Sequence, residues 1–118
     1  MGQYFIVVNL DKKQFIHPHK FGDGLKLLEF GCSGCGTLTA LTLLLRQSTD
    51  GGGGDYSGDN EFVGSWAGNK ITIVGDYDES KLFEKAFEEY EDISIEIREA
   101  FKDDSHLAES LKEIVAAD

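Results

Sequence analysis

The spacing of apolar and polar residues changes several times along this chain, and each pattern predicts an element. Tyr4 to Leu10 (Tyr-Phe-Ile-Val-Val-Asn-Leu) is a β-branched and aromatic run and reads as a strand covered on both faces. Asp11-Lys12-Lys13 is a polar turn, after which Gln14-Phe15-Ile16-His17 returns as the second strand of a hairpin. Pro18 cannot donate to a sheet ladder, so that strand stops there or lies at an edge. A Gly-Asp-Gly turn at 22–24 is followed by a piece long enough for one helical turn. Thr37 to Arg46 is then the most apolar segment, with Leu38, Ala40, Leu41, Leu43, Leu44 and Leu45. It predicts a core helix capped by Thr37 and buried on most sides.

Residues 47–61 hold four consecutive glycines among Asp, Ser and Asn, which predicts a mobile loop, because glycine loses the most backbone entropy on ordering. Glu61 to Ala67 and Lys70 to Val74 flank Gly68-Asn69 and read as a second hairpin. Leu82, Phe83, Ala86, Phe87 and Tyr90 recur at three and four and predict an amphipathic helix. Ile93, Ile97 and Phe101 fit a further helix capped by Asp92, whereas Ile93, Ile95 and Ile97 alternate as in a strand, so residues 93–97 are open between the two. Asp104 or Ser105 caps a last helix through Leu107, Leu111, Ile114 and Val115. This order predicts an α+β fold in one domain over 1–118: a small antiparallel sheet of two hairpins packed on a buried central helix and acidic C-terminal helices.

Composition adds a foldable core, with 41% hydrophobic residues and a single Pro in 118. No signal-peptide pattern or membrane-length apolar run is seen, so a soluble cytoplasmic protein is expected. Charge changes the picture more. Up to Gly75 seven acids face six bases, whereas from Asp76 onward fifteen acids face five bases, so the C-terminal third carries nearly all of the net charge of −11. Such a field repels nucleic acid and anionic membrane and suits a basic protein surface, although solvated helix faces have the same composition.

Candidate chemistry is concentrated in two places. Cys32-Ser33-Gly34-Cys35 is a C-x-x-C, in which two thiolates can reach one zinc ion or each other. With His17 and His19 it would complete a tetrahedral zinc set, with the histidines preceding the cysteines in reverse of the finger pattern. On a regular strand His17 and His19 would face one side, which Pro18 puts in question. The plainer reading is two small half-buried thiols in a glycine turn. Asp76, Asp78 and Glu79 sit where a strand meets a helix; there they can ligate a cation or complement the helix dipole. Trp66 and Tyr77, beside loops, are candidate ligand contacts, and core packing is the ordinary reading for Trp66. The glycine run lacks the Gly-Lys-Ser/Thr of a phosphate loop, and no catalytic signature or basic patch for nucleic acid is present.

The wording Met-Gly-Gln-Tyr-Phe, Val-Asn-Leu-Asp-Lys, His-Pro-His-Lys-Phe-Gly-Asp-Gly-Leu-Lys-Leu-Leu-Glu-Phe and Val-Gly-Asp-Tyr-Asp-Glu-Ser, all between Met1 and Ser80, resembles small uncharacterised proteins of bacterial, plasmid and phage genomes. The resemblance brings no activity and implies only an accessory or mobile-element role. Together these readings lead to a small acidic binding or regulatory protein with a basic macromolecular partner. The alternative is a zinc-stabilised or dithiol domain built on Cys32, Cys35, His17 and His19. Whether the chain is an enzyme is left open, since no catalytic motif supports it.

Overall fold

The sheet is built outward from the first apolar run. In the computed structural model, which describes residues 2–32, 36–48, 56 and 60–102, β1 (Phe5–Asn9) pairs antiparallel with β2 (Gln14–Ile16) on one side and with β3 (Ile71–Gly75) on the other. A two-residue β4 (Glu91–Asp92) adds to β2 in parallel, giving the order β3-β1-β2-β4. Among the described residues four α-helices accompany the sheet: α1 (Leu27–Gly31), α2 (Thr37–Leu45), α3 (Leu82–Glu89) and α4 (Ser94–Phe101). The class is α+β with a mixed, mostly antiparallel sheet. No helix among the described residues is long and apolar enough to cross a membrane.

Successive side chains of β1 point to opposite faces, and both faces are covered. Val7 and Ile16 pack with Phe21, Phe30, Ala40, Leu43, Leu44, Trp66, Ile93, Ile97 and Phe101, so α2 and α4 lie on this side. Ile6, Val8, Phe15 and Val74 pack with Ala86, Leu82, Phe83 and Tyr90, so α3 covers the other. Asn9 closes the β1–β2 turn, its Oδ1 accepting from the backbone N–H of Asp11 and of Lys12, each at 2.9 Å. β2 ends before Pro18, which opens a 3-10 turn (Pro18–Phe21) suited to its fixed φ.

Several expectations change. The second hairpin does not form: residues 61–68 fold as a string of turns, and β3 pairs with β1 instead. The reason lies at the C-terminus of α2, whose last carbonyls need donors. The N–H of Gly64 donates to Leu43 O and that of Trp66 to Leu44 O, both at 2.9 Å, so the segment expected to be a strand caps the helix. Gly64 has φ +79°, and a Cβ there would press on Arg46 O at 2.8 Å. Thr37 does not cap α2 either. It is the first helical residue, and its N–H is taken by the Asp23 carboxylate at 2.7 Å. That carboxylate occupies the space a Cβ on Gly36 would fill.

α2 is less enclosed than its sequence suggests. Ala40, Leu43 and Leu44 are buried, whereas Leu38 is exposed and Leu41 and Leu45 are intermediate. Residues 94–101 are helical, which resolves the ambiguity at 93–97: Ile93, Ile97 and Phe101 share the buried face and Ile95 faces outward. The glycine run at 51–54, Cys35, and the last helix expected from 104 onward lie outside the described residues.

Candidate functional site

The residues with chemical potential gather where β2, the 3-10 turn, β4 and α4 meet. Asp92 ends β4 and organises this corner. Its Oδ1 accepts the N–H of Ser94 at 3.0 Å, opening α4, and its Oδ2 accepts Lys20 Nζ at 2.7 Å. Burial alone would raise the Asp92 pKa, but the bonds from Lys20 and Ser94 outweigh it and hold the carboxyl below its ordinary value. Ser94 is wholly buried, and its Oγ accepts the backbone N–H of His17 at 2.7 Å. Arg98 Nη1 donates to Lys20 O at 2.6 Å, so α4 grips the 3-10 turn from a second point.

His17 is packed between these groups and α3. Its ring meets Phe87 edge-on at 5.4 Å and His19 at 6.2 Å between centroids. Its Nδ1 is buried and has no hydrogen-bond partner among the described residues. Burial lowers the His17 pKa; Asp92 works against this, while Lys20 and His19 add to it. His19 lies in the 3-10 turn and not on a strand, so the strand argument for a shared face does not apply to the pair. Cys32, just after α1, is exposed and unbonded to another cysteine. Among the described residues no group of three or more His, Cys, Asp or Glu side chains is arranged to hold a metal.

The β3–α3 connection holds the other candidates. The Asp76 backbone N–H donates to Tyr4 O at 2.9 Å, and its Oδ1 accepts the N–H of Tyr4 at 3.0 Å. Asp78 accepts from the N–H and the hydroxyl of Ser80, whose Oγ accepts the N–H of Leu82 at 3.2 Å, so this acid leads the chain into α3. Those two bonds lower the Asp78 pKa. Tyr77 is an exposed ring whose hydroxyl reaches Gly2 O at 3.5 Å. Trp66 is 0% exposed, with Nε1 donating to Gln14 Oε1 at 2.9 Å, so it stands in the core and not in the same place as Asp76, Tyr77 and Asp78.

A further group emerges on α3. Phe87 is 44% exposed although it is held from behind by Phe15 at 5.0 Å, Phe83 at 5.1 Å and His17. Glu84 lies one turn earlier on the same helix, Glu88 is the next residue along, and Glu91 is already in β4, where its Oε1 accepts Gln14 Nε2 at 3.3 Å; all three are exposed. The sequence places Phe87 in the apolar stripe of its helix, and no local signal marks it as the residue left at the rim. Compared with protein-family models, with curated proteins and with solved structures, the chain finds no match.

Proposed function

We propose that this chain is a small acidic binding or regulatory protein, an accessory protein of the mobile-element kind working in the cytoplasm, whose partner is a macromolecule with a basic surface. The observation that supports this reading is Phe87: a half-exposed ring held from behind by Phe15, Phe83 and His17, with exposed Glu84 one turn before it on the same helix. An arginine laid on that ring gains a cation–π contact, with the Glu84 carboxylate one helical turn away to pair its guanidinium. An arginine-rich peptide is a suitable probe, titrated calorimetrically at several salt concentrations. Affinity is expected to fall steeply with salt, and Phe87→Ala to weaken it roughly 2- to 30-fold, the equivalent of a cation–π contact. Glu84→Lys should weaken it more than Glu96→Lys on α4. Equal losses from both reversals, or binding indifferent to salt, would refute the assignment to α3.

A second reading keeps the zinc-stabilised or dithiol domain of Cys32 and Cys35 with His17 and His19. The unpartnered Nδ1 of His17 is what favours it, since a ring nitrogen without a hydrogen bond is available as a ligand. Protein purified without chelator would then contain zinc, and Cys32→Ser would lower the melting temperature. Metal-free protein with an unchanged melting temperature in that variant removes this reading.

A further inference from the structure

The two edges of the sheet are guarded very differently. β4 is two residues long and carries Glu91 and Asp92, a short charged edge of the kind that resists pairing. β3, at the opposite edge, is the five-residue strand Ile-Thr-Ile-Val-Gly, with no proline and no charge. It is opposed residue for residue by β1, from Phe5–Gly75 to Asn9–Ile71, so no bulge turns it away.

The ladder shows which backbone groups of β3 are spent. Leu10 N–H donates to Lys70 O and Asp76 N–H to Tyr4 O, both at 2.9 Å, so the even-numbered residues turn their backbone groups toward β1. Those of Ile71 and Ile73 turn to the outer edge, where they make no hydrogen bond among the described residues. Ile73 is also 45% exposed. Gly75 has the same parity, but it is buried and its O already accepts the N–H of Asp78 at 3.1 Å.

We propose that this edge pairs antiparallel with β3 of a second copy, about a two-fold axis through Thr72. In that register Ile71 of each copy faces Ile73 of the other, and each such pair exchanges both backbone bonds through the groups left open. Gly75 is not needed. Thr72 then faces Thr72, a favourable cross-strand pair. Charge selects a second copy over a generic extended peptide. Lys70, exposed at one end, faces Val74 of the second copy and lies diagonal to its Asp76 on the same sheet face, and symmetry repeats the contact. A lone strand from another protein would not carry that spacing by necessity. The result is one sheet continuous through both copies, with α3 of each on the same face as Lys70 and Asp76.

Sedimentation velocity over a concentration series at physiological salt, where the like net charges are screened, tests this. The mass should rise from 13.0 kDa toward twice that value with concentration. Ile73→Lys places a charge on the edge, and Ile73→Pro removes an N–H that makes no bond among the described residues; each should raise the dimer dissociation constant at least about ten-fold. Circular dichroism at high dilution should show the same fold in all three proteins. In a Cys32→Ser, Cys35→Ser background, Thr72→Cys should form a covalent dimer on mild oxidation, because facing non-hydrogen-bonded residues lie about 4.5 Å apart between Cα atoms, within disulfide range. A monomer at every concentration overturns the proposal, and so does a dimer unaffected by either Ile73 substitution.

Discussion

Trp66→Ala is expected to cost about 3–5 kcal/mol, a large share of the roughly 5–15 kcal/mol that stabilises an ordinary domain. The side chain is wholly buried and packs in the same core as Val7, Ile16 and the helices α2 and α4. Its backbone N–H also caps α2 through Leu44 O, and that contact survives substitution of the side chain. The loss therefore reports packing plus the bond from Nε1 to Gln14 Oε1. Trp66→Phe separates the two: it keeps most of the volume and loses the hydrogen bond, worth about 1 kcal/mol because half-buried Gln14 can turn to water. Urea unfolding checks both values. A loss below 1 kcal/mol for Trp66→Ala would mean that the segment 61–68 is not part of the core.

Asp92→Ala should cost about 1–3 kcal/mol, the sum of the lost bond to the Ser94 N–H at the start of α4 and a lost, partly solvated partner for Lys20. Its effect should also depend on pH. The Asp92 carboxyl lies below its unfolded value of 3.8, so its contribution is full above that value and is lost as pH falls through the folded pKa. The parent should thus lose part of its acid sensitivity below pH 3.8 when Asp92 is replaced. His17 acts in a separate window. Its folded pKa is depressed by burial, so the unfolded chain binds the proton more readily, and stability falls as pH drops below 6.5 toward the folded value. His17→Phe should flatten that upper window and leave the lower one. Thermal unfolding from neutral to acid pH separates the two contributions, and a parent whose stability is flat from pH 6.5 downward would contradict both.

Local pattern made much of this fold legible. β1 reads as a doubly covered strand because Phe5 to Val8 has no polar position to spare, and it is covered on both faces. Pro18 ends β2 for a reason internal to proline, and the three-four spacing of Leu82 to Tyr90 makes α3. These follow from the sequence because steric and periodic rules act over a few residues. Residues 61–67 misread for the opposite reason. Their composition suits a strand, but the carbonyls left at the end of α2 claim their N–H groups, and nothing local records that demand. The cap on α2 is hidden in the same way, since Asp23 reaches Thr37 from fourteen residues upstream. The placement of the candidate groups was least legible of all. Asp92, Ser94, Lys20 and His17 are up to 77 positions apart and become one corner only through the parallel pairing of β4 with β2.

The sequence by itself determined the acidic C-terminal third, the α+β class and the two covered faces of β1, because charge and periodicity are properties of short stretches. Only the tertiary structure decided that β3 joins β1 and becomes an open edge, that Trp66 is core, and that Phe87 alone of its stripe's aromatics is left half outside. Those outcomes depend on which distant groups compete for the same backbone donors and the same buried volume, and that competition is settled only when the chain closes on itself.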